Sequence, residues 1–421
     1  MAFFGYCICN KDHVGQYMHF FHRLMLFSFL LTSTQLLAEK RVFNIYHDSD
    51  YTNHGQSAKA MKIGFMTALS QQQLKFDNIE FNFIEKDHRG NSNRSLMHMK
   101  QFLADPNALF MLGGLHSPPY IKYKNFINQN DILLLVPWAA GGPITRYDAG
   151  KNWVYRLSVD DTKAGYRIVR YAQQQRKCQR PQMLLEKTPW GESNYATMSK
   201  ALESNAENSV TWFRWNTKIN QAKIMLRDIA NKQADCILFV GNAIEGRQFI
   251  EAMANLPVSQ RMPIISHWGI TGGDFFNNVH QYLESDVDLN FIQSCFSLRD
   301  DNKSAFTKKA IADAKALFPD TFVDEKTLPA PAGFIHAYDL ANVFLTAFES
   351  TPLDKDIKIT RAALHQQLES INTPVTGLIK TYHKPFSAWS NDLQDAHEAL
   401  DLDDLCMAKY MPDGGINVFK N

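Results

Sequence analysis

Residues 132–145 read ILLLVPWAAGGPIT, and this stretch decides the fold. Residues 132–137 form an apolar run with no polar alternation, the signature of a strand buried on both faces. Such strands suit a parallel sheet covered by helices on each side. The run stops at Pro137, and Trp138–Ala139–Ala140–Gly141–Gly142–Pro143 follows as a loop of small and turn-forming residues. Small side chains there leave backbone N–H groups open to a ligand. In open parallel sheets, ligands sit beyond the carboxyl ends of the strands. One segment therefore implies both an α/β sheet and the edge of it that binds.

Upstream, the chain alternates strands at 42–47, 79–85 and 109–113 with helices at 56–71, 92–103 and 118–128. Ala60, Gly64 and Ala68 form a small-residue ridge on the first helix, which permits close helix packing. The pattern restarts downstream. Strands at 154–157, 182–186, 209–214, 236–240 and 263–266 are interleaved with helices at 163–175, 193–203, 218–232 and 243–254. Two successive runs of strand–helix units predict two doubly wound α/β lobes with parallel sheets. After a strand at 291–296 come helices at 304–317, 334–349 and 360–369, then strands at 377–382 and 405–410. We read the late helices as returning to the first lobe and the last strands as returning to the second, across a multi-strand hinge. Lobe one then comprises 39–157 plus 298–372, and lobe two 158–297 plus 373–421.

Residues 24–37 form an apolar run preceded by His22 and Arg23 and closed by Ala38, which reads as a secretory signal peptide over 1–38. The run is shorter than the roughly 20 residues a membrane span needs. Met18 would be a more ordinary start for such a leader. Cleavage removes Lys11, Arg23 and Asp12 and leaves 42 basic and 42 acidic residues. A near-neutral chain offers no nucleic-acid surface. What remains exceeds the roughly 250–300 residues at which a single core stops growing. Cys178, Cys236, Cys295 and Cys406 form no C-x-x-C pair, and Cys236 and Cys295 lie in apolar runs that suit buried thiols. In an oxidising compartment they permit three disulfide pairings, among which spacing does not choose.

The strand-end loops carry the candidate site. They are 48–55 with Tyr51 and His54, 113–118 with Ser117, 138–143, 187–192 with Trp190, 241–242 with Asn242, and 267–273 with Trp268. Ser117 precedes a helix that it can cap, at an end that attracts anions. Catalytic motifs are missing: there is no G-x-S-x-G, H-E-x-x-H or Walker loop. His397–Glu398 lacks a second histidine, and the spacing of His47, His54, His88 and His116 completes no metal set. No catalytic residue, metal or cofactor is expected. A histidine-dependent enzyme is the outlying alternative.

The order of these loops resembles the type I periplasmic binding proteins, in the leucine/isoleucine/valine- and amide-binding branch that serves ABC importers. The resemblance spans 42–416 and rests on Gly55 opening a long helix, on 84–87, 112–118, 132–145 and 188–192, and on the Gly-Phe … Tyr-Asp pattern at 333–339. It implies a periplasmic solute-binding protein that closes two lobes on a small ligand. By position, Ser117, Ala139, Ala140 and Gly141 would hold a carboxylate from lobe one, while Trp190, Asn242 and Trp268 close from lobe two, with Tyr51 walling the cleft. Amino-acid binders of this branch place an acidic residue in the second lobe; 267–270 carries none. A carboxylate, an amide or an aromatic acid fits these loops as well as an amino acid. The implied partner is an ABC permease, or a membrane sensor kinase reading the same closure.

Overall fold

The computed structural model describes residues 40–148, 150–203, 209–284 and 286–419, with Met1 and Gly5. The apolar leader at 24–37 and its cut after Ala38 lie outside the described residues. The unit Val42–Asn421 holds both sheets. In chain order the first sheet takes β1 (Arg41–Ser49), β2 (Ile79–Asp87), β3 (Ala108–Gly113), β4 (Leu134–Val136) and β5 (Val154–Arg156), arranged β2-β1-β3-β4-β5. The pairs β1–β3, β3–β4 and β4–β5 are parallel. β3 and β4 are buried along their whole length, as the apolar run at 132–137 requires.

The second sheet takes β6 (Pro181–Glu186), β7 (Val210–Phe213), β8 (Cys236–Val240), β9 (Ile264–Ser266) and β10 (Leu289–Ser294). After a small hairpin of β11 (Val375–Thr376) and β12 (Thr381–Tyr382) come β13 (Leu405–Tyr410) and β14 (Ile416–Phe419), which complete the order β14-β13-β10-β9-β8-β6-β7. Strands β6 to β10 pair in parallel, and β13 and β14 add antiparallel at the edge. Both sheets thus wind in the same 2-1-3-4-5 sense, which puts a topological switch point between β1 and β3 and another between β6 and β8.

Helices α1 (Gly55–Gln72), α2 (Ser92–Ala104), α3 (Pro118–Lys122) and α4 (Lys124–Gln129) connect the first sheet. Helices α5 (Asp161–Gln174), α6 (Pro189–Leu202), α7 (Ile219–Asn231), α8 (Ala243–Ala254) and α9 (Phe275–Leu283) serve the second. Several begin on side-chain caps: Asn91 accepts from the Asn93 N–H, Asp160 from Thr162, and Thr188 from Gly191 behind Pro189 at the first turn. The late helices α10 (Ala305–Leu317), α11 (Pro331–Glu349) and α12 (Ile357–Glu369) reach back to the first sheet. Gln71 of α1 donates to Asp313 of α10, and Arg361 of α12 donates to the Ala108 and Leu109 carbonyls of β3. α11 lies directly on α1 at the small-residue ridge: a Cβ on Gly64 would overlap the Phe334 carbonyl oxygen.

Four elements differ from the sequence expectation. The helix at 118–128 is two short helices, because the backbone leaves helical geometry at Tyr123. The strand at 377–382 is instead the hairpin β11–β12, whose Leu378 and Ile379 amides donate to the buried Asp339 carboxylate. α9 and β14 were not expected, although Phe275, Val279 and Leu283 carry helical spacing. Cys178 pairs with Cys236 and Cys295 with Cys406, so these cysteines are bridged rather than free thiols.

Candidate functional site

The two sets of strand ends face one another across a cavity of about 150 Å³. From the first sheet, the loop after β1 supplies Asp50, Asn53 and His54, the loop after β2 supplies Arg89 and Gly90, and the loop after β3 supplies His116. From the second, the loop after β7 supplies Trp215 and Asn216, and the loop after β8 and first turn of α8 supply Asn242, Ile244 and Glu245. This is the crevice that the two switch points predict. A larger cavity of about 430 Å³ is lined by α5 and the Leu402–Cys406 stretch beside the Cys295–Cys406 bridge, and includes none of the facing loops. We place the site in the smaller one.

Asp50 is the anchor of the first wall. One carboxylate oxygen accepts from the Asn53 backbone and side chain, and the other accepts from the same side-chain amide and lies 3.2 Å from His116 Nε2. Burial opposes its ionisation, but the bonds from His116 and Asn53 outweigh that cost and hold its pKa below the ordinary carboxylate range. The His54 and His116 rings meet edge to face with centroids 4.8 Å apart, and His88 stands behind His116 at 5.5 Å. Burial lowers the pKa of His54 to about 3 and of His88 to about 4, so both are neutral at physiological pH. His88 Nδ1 accepts from the Gly90 N–H, which turns the β2 loop toward the cavity.

Across the gap, Trp215 stands 5.5 Å from the His116 ring and donates Nε1–H to Glu186 Oε1 at 2.5 Å. Burial lifts the Glu186 pKa to about 8, against the opposing Trp215 bond. Glu245 accepts from the Asn216 amide at 2.8 Å, and burial raises its pKa as well. The second wall thus has a carboxylate after all, on α8 rather than on the 267–270 loop. The walls also touch beyond the cavity, where a Cβ on Gly272 would stand 3.1 Å from Ser57 Oγ of α1.

Of the residues singled out from sequence, Asn242 lines this cavity and His54 stands in its first wall. The others do not. Tyr51 turns away and bonds His47 Nδ1 through its hydroxyl. Ser117 caps no helix; its Oγ accepts from the Gly141 N–H, so that amide is already engaged. The Ala139 and Gly141 carbonyls accept from Arg156, and the Ala140 carbonyl accepts from the Asp161 N–H. Trp190 donates to Asp161, and Trp268 is buried against His267 and His336. These groups are engaged by other protein groups away from the cavity. Sequence reasoning missed Asp50, His116 as a wall residue, Trp215 and Glu245; the loop after β7 has no glycine to draw attention to it.

The sequence matches the family profile described as periplasmic binding protein over residues 49–388. Among curated proteins no sequence matches. Among solved structures, similar folds include a periplasmic binding protein type 1 from Bordetella pertussis Tohama I (15% identity, TM-score 0.72, covering 90% of this chain and 100% of that one). A second is the branched-chain amino acid transporter substrate binding protein LivJ of Streptococcus pneumoniae in complex with isoleucine (15% identity, TM-score 0.69, 90% and 100%). A third is an ABC transporter solute binding protein from R. palustris in complex with benzoate (14% identity, TM-score 0.72, 90% and 96%). With two 2-1-3-4-5 sheets, facing strand-end loops and a profile match across most of its length, the chain belongs to the periplasmic binding protein family, whose members bind solutes.

Proposed function

We propose that this protein captures a small polar solute in the periplasm, between two lobes, and delivers it to an ABC permease. The observation that carries the reading is the cavity in which Asp50, His54 and His116 face Trp215, Asn242 and Glu245 across the switch points of both sheets. At about 150 Å³ it is well below the several hundred cubic ångströms of drug-sized pockets, which favours an amino acid, a carboxylate or an amide. Asp50 and Glu245 suit an ammonium or amide N–H donor, and Arg89 at the rim suits a carboxylate. The disulfides Cys178–Cys236 and Cys295–Cys406 fit an oxidising compartment, in keeping with the leader read at 1–38. Among the described residues no helix is long and apolar enough to cross a membrane.

We propose the lobes expected from sequence with one adjustment. Residues 375–399 bond to Asp339 of α11 and to β5, which supports moving the final crossing from about 373 to about 400. Solute binding selects the closed arrangement, and the permease reads closure. Calorimetric titration of the secreted chain with amino acids, small carboxylates and amides, paired with small-angle scattering, tests this. One solute should bind at one per chain and shrink the radius of gyration. A whole panel without saturable binding or compaction would remove the reading.

A further inference from the structure

We propose that Asp50, His54 and His116 form a three-ligand site for a divalent transition-metal ion of the zinc class, with an open coordination position facing the solute. The proposal rests on the reading of this cavity as the solute site, and adds what the solute would meet there.

The local chain supplies the convergence. The His54 N–H donates to the Asp50 carbonyl at 3.2 Å, so one turn brings both side chains to the head of α1. His116 arrives from the neighbouring strand end and already sits 3.2 Å from an Asp50 carboxylate oxygen through Nε2. Ligand atoms from the three residues all lie within 4.8 Å of one another. Around a tetrahedral ion with bonds of about 2.1 Å, neighbouring ligand atoms stand roughly 3.4 Å apart. The Asp50–His116 edge is therefore close to formed, and the His54 edges, at most 4.8 Å, must shorten on binding.

The second observation is His54 itself. It is 6% exposed and lines the cavity, yet among the described residues its ring nitrogens make no hydrogen bond. A neutral imidazole on the cavity wall has a lone pair that an ion in the cavity can take. The donor set selects the class of ion, because imidazole with one carboxylate suits zinc, nickel or copper rather than calcium or magnesium. Asn53 bonds both Asp50 oxygens, one through its backbone N–H and side-chain amide and the other through the amide alone, outer contacts of the kind that orient metal-ligating carboxylates. The other candidate group, Cys178, Asp235 and Cys236, has its two sulfurs joined in a disulfide, so it offers no thiolate.

The test uses the full secreted chain without a histidine tag, stripped with a chelator and titrated with Co²⁺ and Zn²⁺. One equivalent should bind, Co²⁺ giving the visible absorption of a low-coordinate N/O site. Outer-shell changes alone weaken metal sites 10–100-fold, so His54→Ala and His116→Ala should each weaken binding by about 100-fold or more. His280→Ala, on the exposed face of α9, should leave it unchanged. Thermal unfolding of each variant confirms that it is folded. The unmodified chain taking up no metal, or His54→Ala binding it as tightly as the parent, overturns the site. Solute titrations with and without metal separate the two readings. Solute binding without metal binding discards the metal site and keeps the solute reading, and metal binding with no solute in either state does the reverse.

Discussion

Arg156 and Glu398 form a bidentate ion pair across 242 residues of sequence, with Nε to Oε2 at 2.9 Å and an Nη to Oε1 at 2.6 Å, and neither side chain is exposed. Arg156 ends β5, where the chain leaves the first sheet, and Glu398 lies on the segment that returns to the second. Asp160 at 3.2 Å and the Thr145 hydroxyl complete the network. Deleting one partner strands a buried charge, which costs about 3–5 kcal/mol, whereas replacing both with apolar groups is often near neutral. Glu398→Leu should therefore lose about that much in urea unfolding, and Arg156→Met with Glu398→Leu should recover most of it. A single variant within about 1 kcal/mol of the parent would show that the pair holds nothing together.

Glu186 governs a stability change with pH. Its carboxyl is buried, with one oxygen on Trp215 and the other unpartnered, and its pKa rises from 4.5 to about 8 on folding. The folded state therefore holds the proton that the unfolded state has released. Stability from this group is complete below about pH 4.5 and falls as pH rises to about 8. Glu186→Gln keeps the Trp215 acceptor without the charge. Between pH 5 and 8.5 it should gain on the order of 2–4 kcal/mol relative to the parent. The same stability difference at both pH values would show that Glu186 does not titrate in this range.

The α1–α11 contact depends on one hydrogen atom. Gly64 faces the Phe334 carbonyl so closely that any Cβ must push the helices apart. The Phe65, Phe110 and Phe344 rings packed around this seam leave little room to yield. Gly64→Ala gains helix propensity of about 1 kcal/mol but should lose about 3 kcal/mol by overpacking, for a net loss near 2 kcal/mol. A variant as stable as the parent in thermal unfolding would mean that the helices separate freely.

The elements were legible because pattern carries them: the apolar run at 132–137 reports a strand buried on both faces, and the small ridge on α1 reports one packed face. Beyond Asn242 and His54, the site was legible only to the level of its loops. Tyr51 was chosen where Asp50 lines the cavity, and Ser117 where His116 does. In a tight turn, neighbouring side chains diverge, and the one that faces inward is set by backbone angles that no composition encodes. The metal-ligating group was illegible for a different reason. Asp50 and His54 lie on one loop and His116 on another, and only the β1–β3 pairing makes them neighbours. The disulfides likewise needed the sheet order, since Cys295 and Cys406 meet because β13 pairs with β10.

Trp190 and Trp215 differ in the same way, and their variants should separate stability from binding. Trp190 is 6% exposed, donates to Asp161 and packs on His267, with Gly269 against its ring. Trp190→Ala should cost about 3–5 kcal/mol of stability through the void it leaves. Trp215 is 39% exposed, lines the cavity and stacks near His116 and Gly90. Its truncation opens no large void but takes the Glu186 carboxyl's partner, at about 1–3 kcal/mol of stability, and should also cost about 1–3 kcal/mol of solute affinity, the range of an aromatic contact at a binding surface. Chemical unfolding and calorimetry on the same two preparations read both quantities. The reverse result, with Trp190→Ala weakening solute binding at unchanged stability and Trp215→Ala binding normally, would move the site out of this cavity and onto the 187–192 and 267–273 loops.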